Sequence, residues 1–98
     1  MATAEWTPTA KRELAEIHDF IGVERQSPSA AANLVREIHE KANLYAAQPE
    51  MGTLREDLGE GFRVFSVKPY IVVYRALQHG IEVLRVVDGR RNYVALFS

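Results

Sequence analysis

The chain has 98 residues, 47% hydrophobic and 26% charged, which predicts one globular domain over residues 1–98 and excludes a disordered or fibrous protein. Cysteine is absent, which excludes disulfides and cysteine nucleophiles and suits a reducing cytoplasm. The net charge of −1 disfavours direct binding to nucleic acid, and no apolar run approaches the roughly 20 residues that span a bilayer. We therefore expect a cytoplasmic protein with no membrane partner.

The N-terminal half predicts two helices. Ala2–Trp6 is a candidate edge strand, after which Thr7 is a suitable N-cap and Pro8 a suitable first helical residue. The first helix is predicted from Pro8 to about Arg25 and the second, after Ser27, from Pro28 to Ala47. With so short a connection, the two are expected to pack as an antiparallel hairpin. Four apolar residues at helical spacing are predicted core residues: Leu14, Ile17, Ile21 and Ile38.

The C-terminal half predicts strands, because β-branched and aromatic residues dominate after Gly61. Phe62–Val67, Tyr70–Ala76 and Ile81–Val87 are separated by short turns and should form an antiparallel meander. With Ala2–Trp6, the expected fold is α+β: a helix hairpin packed on a twisted antiparallel sheet of three to four strands.

Both faces of this predicted sheet are apolar. If Val67 faces Tyr70 and Ala76 faces Ile81, one face carries Phe65, Val67, Val72, Tyr74, Ile81 and Val83. The other face then carries Val64, Ile71, Val73, Leu84 and Val86, and Arg75 stands opposite Glu82. One hairpin can cover one face, so we expect the tail Asn92–Ser98 or a bound partner chain to cover the second.

Common catalytic and metal-binding patterns are missing from the sequence. His18, His39 and His79 do not share the spacing of metal ligands, so no metal site is expected. Phosphate-loop and serine-nucleophile motifs are absent too, and no cofactor is predicted. Carboxylates such as Glu13 and Glu16 lie at helical spacing on a polar stripe and are expected to be solvated.

The arginines of the strand region are the informative residues. Residues 61–98 include six basic and two acidic residues, a net charge of +4. Residues 1–54 include five basic and eight acidic residues, a net charge of −3. Arg85 interrupts an apolar run, and an arginine in mid-strand is costly unless it is paired or binds an anion. It is expected either to bind an anionic partner or to pair with Asp88, Glu82 or an acidic helix residue, and the charge pattern leaves both open.

Three motifs in this order resemble the ParE branch of the ParE/RelE toxins of type II toxin–antitoxin modules. They are P-x-x-G-x-x-R-x-x-L over Pro49–Leu58, Y-x-x-x-Y-R over Tyr70–Arg75, and R-V-V-x-G-R-R over Arg85–Arg91. The resemblance extends from Trp6 to about Phe97. One departure is Asp88, where ParE-like chains often have His. Asp88 is expected to pair with Arg90 or to weaken toxicity.

The resemblance implies a non-enzymatic toxin that traps the cleaved-DNA complex of DNA gyrase and blocks replication. It also implies a cognate, ParD-like antitoxin that wraps the helix hairpin and the sheet, with operator DNA bound only through the antitoxin. Seven residues are predicted to contact target or antitoxin: Arg63, Arg75, Arg85, Arg90, Arg91, Tyr93 and Phe97.

The RelE branch is the alternative. RelE-like toxins cut messenger RNA in the ribosome with basic residues, for which the candidates here are Arg63, Arg85 and Arg91, and usually a C-terminal Tyr or His. Ile71 stands where the RelE pattern has arginine, and Phe97 stands at the C-terminal Tyr position. These departures favour the ParE branch. An inert member that binds only its antitoxin is a third interpretation.

Overall fold

A computed structural model describes residues 2–97 and has two helices packed on a five-stranded sheet. The α+β class is therefore confirmed. The bounds of the main elements in chain order are β1 Thr3–Trp6, α1 Pro8–Asp19, α2 Pro28–Ala47, β2 Thr53–Leu54, β3 Phe62–Val67, β4 Tyr70–Leu77 and β5 Gly80–Asp88.

The sheet has the strand order β1-β5-β4-β3-β2, and it is mixed rather than fully antiparallel. The meander β3–β4–β5 is antiparallel with the expected register: Val67 faces Tyr70 and Arg75 faces Glu82. The expectation of three to four antiparallel strands is corrected at both edges. β1 pairs with β5 in parallel, and the two-residue β2 pairs with β3.

The hairpin differs in detail from the prediction. Thr7 caps α1 as expected, since its Oγ1 accepts a hydrogen bond from the Ala10 N–H at 3.1 Å. The α-helix then ends at Asp19 and continues as a π-helical turn, Phe20–Glu24, instead of remaining α-helical to Arg25. In that turn the Arg25 N–H donates to the Phe20 carbonyl, five residues back.

The inner face of the sheet, which packs on the helices, holds the main core. All six side chains predicted for this face are buried there, and Leu14 and Ile38 contribute from the helices. Ile17 and Ile21 are partly buried at its border. Between them these residues form a continuous apolar layer, the arrangement that supplies most of a small domain's stability.

One predicted facing is wrong. Val86 was placed on the outer face, away from the helices, but it is buried in the inner core. The cause is a β-bulge: Tyr74 pairs with Val83 and Val73 pairs with Arg85, so that Leu84 is an extra residue in β5. Strict alternation therefore fails beyond Leu84.

The outer face carries a smaller apolar cluster built on Leu58, Val64 and Val73. A 3₁₀-helical stretch, Tyr93–Phe97, which we call the C-terminal segment, packs Tyr93 and Phe97 against this cluster. The predicted covering of the second face by the tail is thus confirmed for residues up to Phe97. Ser98 lies outside the described residues.

A buried tyrosine explains why Pro49 and Gly52 stand in the first motif. The Tyr74 hydroxyl donates to the Pro49 carbonyl at 2.7 Å and accepts from the Gly52 N–H at 2.9 Å. A side chain at position 52 would overlap the Tyr74 ring, so glycine is required there. Burial raises the pKa of Tyr74 above its ordinary value, against a smaller opposing effect of the Gly52 hydrogen bond.

Candidate functional site: the β5 edge, its terminal turn and the C-terminal segment

The edge of β5 changes partner halfway along the strand. β1 pairs with β5 as far as Val83, where the chain leaves β1 at Trp6 and enters α1. Beyond this point, backbone groups of β5 bond to side chains of the incoming chain. The Thr7 hydroxyl donates to the Leu84 carbonyl at 2.9 Å, and a Glu13 carboxylate oxygen accepts from the Val86 N–H at 2.9 Å.

Glu13 also grips Arg85. The Nε and Nη2 atoms of Arg85 lie 3.0 and 2.7 Å from Glu13 Oε2, and both side chains are mostly shielded from solvent. This hydrogen bonding raises the pKa of Arg85. Of the partners considered from the sequence, an acidic helix residue is therefore the one observed. The expectation that Glu13 is simply solvated is wrong, since Glu13 is a half-buried clamp.

The turn after β5 presents two exposed cations. Asp88 accepts from the Arg90 backbone N–H at 2.9 Å and from its guanidinium at 2.9 and 3.0 Å, which confirms the predicted pairing. These bonds from Arg90 hold the pKa of Asp88 below its ordinary value. The Arg91 side chain is 85% exposed, and its Nε lies 3.9 Å from Asp88. One carboxylate thus organises two arginines that remain open to a partner.

The C-terminal segment is attached through arginines. The Arg85 guanidinium lies over the Phe97 ring, with 5.6 Å between its Cζ and the ring centroid. The Arg55 Cζ lies 5.8 Å from the Tyr93 ring centroid, and its Nη1 donates to the Tyr93 hydroxyl at 2.9 Å. Asp57 in turn accepts from Arg55 at 2.7 and 2.9 Å, and this lowers the pKa of Asp57. Sequence reasoning did not select Arg55 or Asp57, although Arg55 is the arginine of the P-x-x-G-x-x-R motif.

A groove of about 580 Å³ runs between α1 and the end of β5; we call it the α1–β5 groove. Its lining includes two exposed apolar side chains, Phe20 (41% exposed) and Leu96 (55% exposed). Arg90 and Arg91 line the same groove together with three carboxylates, of which Glu13 pairs with Arg85, Asp88 pairs with Arg90 and Glu16 forms no ion pair with any of residues 2–97. The groove therefore combines apolar anchoring surface with the exposed positive charge of Arg91 at its β5 end, a combination suited to an amphipathic chain segment with an acidic residue at that end.

A second groove, of about 450 Å³, lies between the two helices. It is lined largely by apolar surface from Trp6, Leu14 and Val35. His39 closes one side, with its ring centroid 4.8 Å from that of Trp6. The helical layer therefore carries an apolar surface that is separate from the α1–β5 groove.

Two of the predicted site arginines lie away from the α1–β5 groove. Arg63 donates to the carbonyls of Glu50 and Gly52 and so fastens the loop that precedes β2. Arg75 forms an ion pair with Glu82, with 2.7 Å between Arg75 Nε and Glu82 Oε1. This cross-strand pair lies near the β4–β5 turn, next to the pair Ala76–Ile81. The structure thus brings Arg85, Arg90, Arg91, Tyr93 and Phe97 to one end of β5 and does not bring Arg63 or Arg75 there.

The three arginines proposed for a nuclease do not all converge, because Arg63 lies apart from Arg85 and Arg91. In the strand register Arg63 stands opposite Tyr74, whose side chain is on the inner side of the sheet. Arg85 stands opposite Val73, whose side chain is on the outer side. Each guanidinium is also engaged by partners of its own. Over residues 2–97, no cluster of His, Asp and Glu could hold a metal ion, and no helix is long and apolar enough to cross a membrane.

Comparison with known proteins defines the class. The family model described as the ParE toxin of type II toxin–antitoxin system, parDE, matches residues 4–93. Toxin ParE3 of Caulobacter vibrioides is 37% identical over 67 residues, which cover 68% of this chain and 64% of that protein. A structure titled chromosomal ParDE TA system from P. aeruginosa shares the fold, with a TM-score of 0.73 at 24% identity over 90% of this chain and 96% of the other.

The chain therefore belongs to the family of ParE toxins of type II toxin–antitoxin systems. The resemblance seen in the sequence motifs is confirmed. The matched part spans a little under two thirds of the length of the curated relative.

Proposed function

We propose that this protein is a non-enzymatic cytoplasmic toxin that inhibits DNA gyrase by trapping its cleaved-DNA complex. Family membership supports this proposal. The observation that carries it is the separation of Arg63 from Arg85 on opposite sides of the sheet, each bound to other groups. A nuclease that stabilises a phosphorane needs cations directed at one point, and these arginines are directed elsewhere.

The second part of the proposal concerns neutralisation. A cognate, ParD-like antitoxin is proposed to place an acidic, amphipathic segment in the α1–β5 groove and to continue over the helices. Phe20 and Leu96 provide apolar contacts, and Arg90 and Arg91 provide exposed charge. The groove between the helices extends the surface available for such wrapping. Operator DNA is proposed to bind through the antitoxin, because this chain carries a net charge of −1.

The gyrase proposal is tested with purified components. Gyrase, supercoiled plasmid and ATP are incubated with increasing amounts of the chain, then treated with detergent and protease. Linear DNA that increases with the amount of chain is the expected result. A translating ribosome system with labelled messenger RNA is the parallel assay. Cut messenger RNA without linear DNA would overturn the proposal in favour of the RelE interpretation, and neither product would indicate a member that only binds antitoxin.

The antitoxin proposal is tested by charge reversal. The double variant R90E/R91E is expected to weaken antitoxin binding about tenfold or more, mainly through slower association that depends on salt. The matched control is R36E, because Arg36 lies on the exposed side of α2 and pairs with Glu40. Equal affinities for the double variant and the control, measured by surface plasmon resonance at two salt concentrations, would place the antitoxin elsewhere.

A further inference from the structure

Two of the three carboxylates that line the α1–β5 groove are neutralised within the chain. Glu13 is bound by the Arg85 guanidinium, with 2.7 Å between Oε2 and Nη2. Asp88 is bound by the Arg90 guanidinium, with 2.9 Å between Oδ2 and Nη2. Because the opposite charges of each pair are in direct contact, the two pairs present little net charge to a partner.

One charge of each sign remains on the walls of the groove. Glu16 lines it from α1, where this residue is exposed and forms no ion pair with any of residues 2–97. Arg91 lines it from the turn after β5, where its side chain is 85% exposed. Its Nε lies 3.9 Å from Asp88, a carboxylate that Arg90 already binds more closely. The α1 wall is therefore negative and the turn wall is positive.

The two walls also offer apolar anchoring surface. Phe20 of α1 is 41% exposed, and Leu96 of the C-terminal segment is 55% exposed. An amphipathic segment that packs its apolar stripe on these side chains turns one flank toward α1 and the other toward the turn. Reversing the direction of that segment exchanges its two flanks. The opposite charges of the walls therefore distinguish the two directions in which a segment can lie.

We propose that the groove accepts an amphipathic antitoxin segment with an acidic side chain on the flank that faces Arg91 and a basic side chain on the flank that faces Glu16. This inference rests on the proposed placement of the antitoxin in the groove. It adds a cation at a defined flank of the segment and a fixed direction for the segment along the groove. The reverse direction is disfavoured because each charge of the segment then meets a like charge.

The test reverses one wall charge at a time in the full-length chain. Glu16→Lys is expected to weaken antitoxin binding about three- to tenfold, because it places a lysine against the basic flank. Arg91→Glu is expected to weaken binding by a similar factor, because it places a glutamate against the acidic flank. Surface plasmon resonance at two salt concentrations measures both, and each loss should shrink at the higher salt concentration.

Two further variants make the result interpretable. Glu37→Lys is the matched control for Glu16→Lys, since Glu37 is an exposed glutamate of α2 that lines neither groove and its reversal changes the net charge equally. A difference between these two variants reports the charge beside the α1 wall and not the overall attraction between the two proteins. Leu96→Ala reports whether the groove is occupied, and the loss of this exposed apolar anchor should weaken binding about fivefold or more.

The outcomes separate this inference from the placement on which it rests. A greater loss in Glu16→Lys than in Glu37→Lys, together with a loss in Arg91→Glu, supports the two flanks. If Leu96→Ala weakens binding but Glu16→Lys binds as tightly as Glu37→Lys or more tightly, the groove is occupied and the basic flank is overturned. Unchanged binding in Arg91→Glu overturns the acidic flank. If Leu96→Ala, Glu16→Lys and Arg91→Glu all bind as wild type does, the antitoxin lies elsewhere and the proposed placement fails as well.

Discussion

The two faces of the sheet are both apolar, but they are covered in different ways. Two helices cover the inner face with fully buried side chains such as Ile38, which belongs to the same core cluster as Val72 of β4. The outer face is covered by a loop and by the five-residue C-terminal segment, whose aromatic rings rest on arginines. The inner face is held by the burial of apolar area, whereas the outer covering combines a smaller apolar cluster with a few directed polar contacts.

This difference assigns separate roles to the faces. Burial of apolar area is not directional and adds up over many contacts, so the inner face stabilises the domain as a whole. Directed contacts fix one geometry but contribute little individually, so the outer covering is expected to add less to stability than the inner face does. One of the proposed partner surfaces, the α1–β5 groove, borders the thinly covered outer face through Tyr93 and Leu96 of the C-terminal segment.

The largest expected effect comes from truncating the inner face. Ile38→Ala should lower the free energy of unfolding by about 2–5 kcal/mol, because the site is fully enclosed and leaves a cavity. Ile71→Ala on the half-buried outer face should cost less than about 2 kcal/mol. Urea unfolding of the two variants measures both values. Equal losses would show that the outer cluster contributes to stability as the inner core does.

Removing the charge of Glu13, which binds Arg85, should lower the free energy of unfolding by an intermediate amount. Glu13→Gln weakens its bonds to Arg85 and to the Val86 N–H, groups that are poorly solvated, and should cost about 1–3 kcal/mol. Glu16→Gln, on an exposed side of the same helix, should change stability by less than about 0.5 kcal/mol. Thermal unfolding of the two variants is followed by circular dichroism. Similar melting temperatures would show that the Glu13 charge does not stabilise the β5 edge.

Tyr74 supplies a polar test of the inner face. Tyr74→Phe leaves the Pro49 carbonyl and the Gly52 N–H without this partner and should cost about 1–3 kcal/mol. Because the folded-state pKa of Tyr74 is raised, its stabilisation is present below the ordinary tyrosine value of about 10 and is lost as pH rises through the folded pKa. The free energy of unfolding, measured between pH 8 and 12, should therefore decline less steeply with pH in Tyr74→Phe than in wild type.

The smallest expected effect is a change in the outer covering when Asp57 is protonated at acid pH. The pKa of Asp57 is lowered by its hydrogen bonds from Arg55, so this stabilisation is present above the ordinary aspartate value of about 3.9 and is lost as pH falls through the folded pKa. Tyr93 ring resonances should shift with that acid titration while inner-face resonances stay in place. In Asp57→Asn the same shift should be absent, and its persistence would contradict the role of Asp57.

Local patterns in the sequence were sufficient for much of the fold. The register of β3 with β4 follows from alternation and from the short turn at Lys68–Pro69, and both helix starts follow from Pro8 and Pro28. The edges of the sheet were beyond such patterns. β2 has two residues, too few for a periodicity, and β1 pairs in parallel with a strand more than 70 residues away. The bulge at Leu84 breaks the period-two rule on which the facing of Val86 depended.

The candidate site was partly predictable for a related reason. A charge that interrupts an apolar run marks Arg85 as unusual, but the sequence does not select among its possible partners, because tertiary approach decides the pairing. Glu13 lies 72 residues away, and in its own helix it resembles any solvated carboxylate. Arg55 belongs to the P-x-x-G-x-x-R motif, but its contact with Tyr93 joins positions 38 residues apart, which no local pattern predicts.

The parallel pairing of β1 with β5 determines where a fusion partner can be attached. Thr3 pairs with Gly80 at the start of β5, while the arginine turn follows Asp88 at the other end of this nine-residue strand. At about 3.3 Å per residue, the two points are roughly 26 Å apart. A purification tag or fluorophore joined ahead of Thr3 therefore emerges far from the α1–β5 groove. The same tag joined after Phe97 would emerge beside Leu96 and compete for the surface under test.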